Sequence, residues 1–195
     1  MIIDDMSTED LANLSLQLGE SKKSAGGALV VTTGECTGRS PNAKSIVKDS
    51  TTDSEVDWSM NNSINREEFI RIRNEMKSHL ADIGEEKIYT QKLYANRDPE
   101  NALKLKVNTT LVWHSIFARN MFVRPALIES DLSGREDEWT IYAAPDFANE
   151  PMVLLSFNDK EILISGTYYA GEIKKSVFTV LNFILPERGI LPMHC

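Results

Sequence analysis

The clearest alternation of apolar and polar positions lies between residues 65 and 83. The apolar residues recur there at spacings of three or four: Phe69, Ile72, Met76, Leu80 and Ile83. This spacing places them on one face of a helix. Asn65 precedes them, and Glu68 follows it three positions later, which is a capping pattern. The pattern therefore predicts an amphipathic helix that begins after Asn65.

Three further stretches predict helices. Ser7, with Asp10 three residues later, resembles a helix start ahead of a leucine-rich stretch. A mixed apolar run from Leu111 to Phe122 predicts a second helix. A third is expected from Glu172 to Leu185, where Pro186 should stop it because proline removes a backbone donor.

Strands are expected between these helices. The apolar, β-branched run 28–33 is bounded by glycines, which predicts a buried strand, whereas most of 45–62 has the composition of a surface loop. Shorter strand-like runs lie at 45–47, 88–94, 103–107, 140–143, 152–157 and 161–165. Strands and helices mixed without strict alternation favour an α/β (mixed) domain, with a mixed β-sheet flanked by helices.

Charge and composition narrow the function classes. The chain has 195 residues, 29 acids against 21 bases and a net charge of -8, so a general nucleic-acid binder is not expected. No apolar stretch approaches the roughly 18 residues of a membrane span, and the N-terminus is acidic where a signal peptide is basic. We therefore expect a soluble cytoplasmic protein with no nucleic-acid or membrane partner.

The loop at residues 34–41 is the first candidate site. It has three residues between Gly34 and Gly38, followed by Arg39, whereas a P-loop needs four residues between its glycines and then a lysine. The loop can still present Arg39 to a carboxylate through two parallel hydrogen bonds. The alternative is a tight turn with a solvated arginine.

The second candidate is the segment 166–175, which ends in Lys174 and Lys175 at a predicted helix start. The helix dipole and the mutual repulsion of the two lysines both disfavour their charged forms there. A neutral lysine can act as a base or a metal ligand, and a charged one attracts phosphate. The alternative is a solvated pair on an exposed face. The third candidate, His194, lies where a strand after this helix could carry its imidazole into a cleft.

Five segments in this order carry a resemblance to a known family: 30–34, 37–41, 120–125, 166–175 and 193–195. The most specific is GTYYAGEIKK, followed by His194. From residue 27 onward the chain resembles the ATP-dependent phosphoenolpyruvate carboxykinases, in their N-terminal, substrate-side domain. The resemblance implies conversion of oxaloacetate and ATP to phosphoenolpyruvate, CO2 and ADP, with Mg²⁺ accompanying ATP and a second ion, typically Mn²⁺, at the reacting centre.

The resemblance also implies residue roles. Arg39 would bind the substrate carboxylate, and Tyr169 would line the pocket from which CO2 leaves. Lys175 and His194 would be ligands of Mn²⁺, with Lys175 also touching substrate, and Lys174 would lie next to the phosphoryl group in transfer. A neutral lysine has the lone pair that a metal ligand needs.

The chain departs from the family pattern near Arg39. Glu35 and Cys36 stand where the family usually has a lysine and a histidine, and Asn42-Ala43-Lys44 replaces the usual Lys-Asp-Lys. These changes bear on local electrostatics and hence on substrate affinity.

The chain also stops before the family's phosphate-binding loop, and its ending resembles a cut inside a longer protein. We therefore expect residues 1–195 to be an incomplete substrate-side domain that does not turn over alone. ATP would bind through the missing C-terminal part. Two alternatives stay open: a non-catalytic binding or regulatory module with the same fold, and an unrelated α/β domain with Arg39 as its carboxylate anchor.

Overall fold

A computed structural model describes residues 3–128 and 138–192. Within them the chain forms ten strands and four helices. The strands are β1 (Ile3–Asp4), β2 (Lys22–Lys23), β3 (Leu29–Val30), β4 (Lys44–Val47), β5 (Asn62–Ile64), β6 (Tyr89–Ala95), β7 (Leu103–Thr109), β8 (Glu138–Ala143), β9 (Met152–Ser156) and β10 (Glu161–Ser165). The helices are α1 (Thr8–Gln17), α2 (Arg66–Ile83), α3 (Val112–Met121) and α4 (Gly171–Glu187).

Eight of these strands form one mixed sheet, in the order β1-β6-β7-β8-β10-β9-β4-β5. The pairs β6–β7 and β9–β10 are antiparallel, and the other neighbours are parallel. The order places β4, which follows the Arg39 loop, beside β9 and close to β10. The prediction of a mixed α/β domain with a flanked mixed sheet is confirmed.

Helices cover both faces of the sheet. On one face α4 buries Ile173, Val177 and Val180 against the apolar residues of the central strands. On the other face α2 buries Phe69 and Met76, in a cluster with residues of β4, β9 and β10. Successive strand residues point to opposite faces, and both faces are covered by helices. The central strands β9 and β10 are therefore apolar almost throughout.

The predicted helix starts of α1 and α2 are confirmed at their caps. The Ser7 hydroxyl accepts a hydrogen bond from the Asp10 N–H at 3.1 Å, and the Asn65 side chain accepts one from the Glu68 N–H at 2.8 Å. Each bond satisfies a backbone donor that has no partner within the helix.

Two predictions about elements are wrong. The run 28–33 is not a buried strand: only Leu29–Val30 is extended, it pairs with β2 in a separate two-stranded sheet, and Val30 is 52% exposed. Pro186 does not stop α4, which continues to Glu187. Gly189, at a φ of 70°, then turns the chain, and the Ile190 N–H donates to the Leu185 carbonyl.

Candidate active site

A cleft of about 500 Å³ lies between the start of β4 and one side of α4. We call it the α4 cleft. It is lined by residues 39–42 with Lys44, by residues 60–62, and by α4 residues from Glu172 to Asn182. Arg39 and Lys175, two of the residues singled out in the sequence, both line it.

The loop that carries Arg39 is held against α4 by one backbone hydrogen bond. The Ser40 N–H donates to Oε1 of Glu172 at 2.6 Å, across 132 residues of chain. Glu172 lies in the first turn of α4 and is only 6% exposed. A hydrogen bond to a buried charged group is among the stronger ones in a protein. The position of Arg39 therefore depends on the start of α4.

A second contact joins the same loop to the segment before α4. Gly34 has a φ of 64°, and a Cβ at this residue would lie 3.6 Å from Cδ2 of Tyr168. The first two candidate sites of the sequence, the loop 34–41 and the segment 166–175, are thus neighbours in the fold.

Lys174 and Lys175 face different cavities. The Lys175 side chain lines the α4 cleft, with Nζ 5.1 Å from the centre of the Phe178 ring. Lys174 lines a neighbouring cavity of about 490 Å³, whose walls include Tyr94 and Phe122. Adjacent residues of a helix point about 100° apart, which accounts for the separation. The structure therefore brings Arg39 together with Lys175 but places Lys174 around the helix.

Tyr169 lies in the tight loop before α4 and is half-buried. Its ring packs over Gly171 so closely that a Cβ at Gly171 would overlap it. Gly166, with a φ of 66°, opens the loop, and a Cβ there would overlap the carbonyl oxygen of Glu150. Tyr169 is not among the described residues that line the α4 cleft.

His114 contacts this loop through a hydrogen bond to its backbone. Its Nε2 lies 2.8 Å from the Tyr168 carbonyl oxygen, and its side chain is 2% exposed. Burial lowers the pKa of His114 to about 4, so the ring is neutral at pH 7 and donates Nε2–H to that carbonyl. Nε2 of His114 is thus paired, whereas the buried Nδ1 has no hydrogen-bond partner among the described residues.

Two functional candidates were missed in the sequence, Lys44 and Glu172. Lys44 begins β4, and its Nζ lies 3.4 Å from Oγ1 of Thr179. Burial lowers the pKa of Lys44; the Glu172 carboxylate opposes this effect, and the Arg39 charge adds to it. The signal for Lys44 was the lysine that it shares with the family pattern after Pro41. Glu172 gave no signal beyond being an acid at a helix start.

The α4 cleft carries more positive than negative charge, although the whole chain has a net charge of -8. The cations in its lining are Arg39, Lys44 and Lys175, and the carboxylate is that of Glu172. Glu35, which departs from the family pattern, is exposed, and Cys36 is half-buried. A local positive field in such a cleft attracts small anions.

The predicted metal ligands can be placed only in part. His194 lies outside the described residues, as do Met193 and Cys195. Among residues 3–128 and 138–192, no three His, Cys, Asp or Glu side chains are grouped so that they could hold a metal ion. Lys175 alone, of the two predicted ligands, is seen in the cleft, and a neutral amine there could supply one nitrogen ligand.

The fold and its principal cleft define a mixed α/β domain with a positively charged cleft beside α4. The family model described as phosphoenolpyruvate carboxykinase matches residues 1–195. The chain therefore belongs to the phosphoenolpyruvate carboxykinase family, as the resemblance predicted.

Curated relatives agree with this assignment. The chain is 42% identical over 200 residues to a phosphoenolpyruvate carboxykinase (ATP) of Bradyrhizobium diazoefficiens, covering 98% of this chain and 36% of the relative. It is 41% identical over 190 residues to one of Methylorubrum populi, covering 93% of this chain and 34% of the relative. The chain thus spans about a third of the length of these relatives. None of its described helices combines the length and apolar content needed to cross a bilayer.

Proposed function

We propose that the chain is the substrate-side portion of an enzyme that converts oxaloacetate and ATP into phosphoenolpyruvate, CO2 and ADP. The single observation that carries the proposal is the meeting of Arg39 and Lys175 in one positively charged cleft. The membership of the chain in the family and the names of its relatives support the reaction.

Arg39 would hold a carboxylate of oxaloacetate through its guanidinium, whose paired N–H donors match the two carboxylate oxygens. Lys175 would contact the same substrate from α4. Tyr169 would line the pocket from which CO2 leaves, and Lys174 would lie beside the phosphoryl group in transfer. The separate cavity that Lys174 lines is compatible with a second group, the phosphoryl donor, approaching α4 from another side.

Two metal ions belong to the proposal. Lys175 and His194 would supply two nitrogen ligands to Mn²⁺, and Mg²⁺ would accompany ATP. The bound Mn²⁺ would supply positive charge that stabilises the enolate oxygen left by decarboxylation. Among residues 3–128 and 138–192, no cluster of three or more His, Cys, Asp or Glu side chains is seen that could supply the remaining ligands together.

We also propose that residues 1–195 form an incomplete substrate-side domain. ATP would be bound by a C-terminal part of the complete protein, equivalent to the part of the relatives that this chain does not cover. Phosphoryl transfer needs a phosphate-binding loop and cations together, so the isolated chain should not turn over. The complete protein would act in the cytoplasm, in gluconeogenesis, on small molecules rather than nucleic acid or membranes.

The proposal is tested with the complete protein. CO2 release from oxaloacetate should require both ATP and Mn²⁺, and Lys175→Ala should abolish it. Lys87→Ala is a matched control, because Lys87 is exposed on a short turn remote from the cleft. Equal activity of Lys175→Ala and the control would contradict the assigned role. Binding of oxaloacetate by the unaltered protein without any CO2 release would favour the non-catalytic alternative.

A further inference from the structure

Lys44 has unused hydrogen-bonding capacity in the α4 cleft. An ammonium group has three donors. Within the described residues, Thr179 is the only hydrogen-bond partner of the Lys44 ammonium group, and its Oγ1 lies 3.4 Å from Nζ, near the outer limit of such a bond. The Lys44 side chain is half-buried and lines the cleft. At least two N–H donors are therefore left for a ligand or for water in the cleft.

No described carboxylate forms an ion pair with Lys44, although Glu172 is near enough to favour its charged form. Glu172 is the acid in the cleft lining, and one of its oxygens accepts the Ser40 N–H. Among the described residues no carboxylate oxygen lies within ion-pair distance of Lys44 Nζ. Burial disfavours the ammonium, the Glu172 carboxylate offsets part of this effect and Arg39 adds to it, so an anion bound beside Nζ would favour the charged form.

A buried hydroxyl in the same lining also lacks a partner. Ser176 is 1% exposed, and its Oγ makes no hydrogen bond to a described residue. It lines the α4 cleft on the turn of α4 between Lys175 and Thr179. Buried hydroxyls are nearly always paired, so an unpaired one beside an under-used ammonium indicates a place for acceptor atoms.

We propose that Lys44 is a second anion-binding residue of the α4 cleft, and that the cleft takes a ligand with two anionic groups, one on Arg39 and the other on Lys44. Ser176 would donate its hydroxyl to the group on Lys44. The proposal rests on the proposed function in that oxaloacetate carries two carboxylates. The Lys44 proposal adds a contact to the proposed function, and this contact would make the cleft bind dicarboxylates more tightly than monocarboxylates.

The test compares Lys44→Met and Lys44→Arg in the complete protein. Losing a hydrogen bond to a charged group should raise KM for oxaloacetate by roughly 10- to 100-fold while kcat changes little, because the contact serves binding. Lys44→Arg keeps the charge and should recover part of the loss. Lys48→Met is the matched control, since Lys48 follows the same strand but pairs with Asp53 outside the cleft.

Thermal unfolding separates this role from a structural one. Because burial disfavours the ammonium, Lys44→Met should unfold at a temperature no lower than that of the unaltered protein. A KM unchanged in Lys44→Met, or a loss of affinity accompanied by an equal loss in the control, overturns the proposal. The proposal is also overturned if Lys44→Met unfolds at a markedly lower temperature than the unaltered protein and Lys44→Arg raises KM as much as Lys44→Met does.

Failure of the proposed reaction would be seen separately, as absence of CO2 release by the unaltered protein. In that event calorimetry with succinate and propionate still tests Lys44. The unaltered protein should bind the dianion succinate more tightly than the monoanion propionate, and Lys44→Met should remove that preference. A preference that is absent, or that survives the substitution, contradicts the two-anion site.

Discussion

Protonation of His114 should weaken the fold in mild acid. The pKa of His114 falls from its ordinary value of about 6.5 to about 4, because the ring is buried. Between these values the unfolded chain binds a proton that the folded protein does not, so the free energy of unfolding decreases as the pH falls. At about 1.4 kcal/mol for each pH unit, the contribution present above pH 6.5 and lost by pH 4 is about 3 kcal/mol.

Urea unfolding at a series of pH values between 7.5 and 3.5 measures this effect, and His114→Gln isolates it. Glutamine can still donate an N–H to the Tyr168 carbonyl but does not titrate. Whatever its stability at pH 7.5, the variant should lose about 3 kcal/mol less than the unaltered protein on acidification. Parallel pH profiles for the two proteins would refute the reasoning, since other acids titrate equally in both.

Two further substitutions test the segments that build the cleft. Gly166→Ala combines a positive φ with an overlap on the Glu150 carbonyl, whereas the control Gly189→Ala has a positive φ but open space around it. The control should lower the free energy of unfolding by roughly 1–2 kcal/mol, and Gly166→Ala should lower it by well over that amount. Equal losses in urea unfolding would rule out the overlap. Glu172→Ala should cost about 1.5–3 kcal/mol by leaving the Ser40 N–H without its charged acceptor, and Glu172→Gln, which keeps an acceptor oxygen, should cost less; an alanine variant as stable as the unaltered protein would contradict this.

The helix boundaries that could be predicted are those determined by local chemistry. Asn65 caps α2 because its side chain reaches an N–H only three residues away. The run 28–33 misled because apolar, β-branched residues favour extended backbone without specifying a partner strand. Pro186 misled because a proline in the last turn of a helix loses only one backbone bond, and the turn at Gly189 supplies the ending instead.

The site divides in the same way. Arg39 and Lys175 could be predicted because each lies in a segment that resembles a known family. The role of Glu172 could not, since it depends on a contact with Ser40 across 132 residues. Lys44 was missed for a similar reason: its neighbour Thr179 comes from α4, and strand order, which brings the two together, is not encoded in any local pattern.

Residues of helix α4 line two cavities, so the position of this helix determines the shape of both. Lys175 lines one cavity, Lys174 lines the other, and Phe178 lines both. A rotation or shift of α4 would therefore move both lysines at once and alter the two cavities together. The buried contacts of α4 with the sheet and the bond from Ser40 to Glu172 oppose such a movement. In the proposed reaction a phosphoryl group passes between two substrates that would bind on either side of this helix. A fixed α4 would hold both binding surfaces in one geometry.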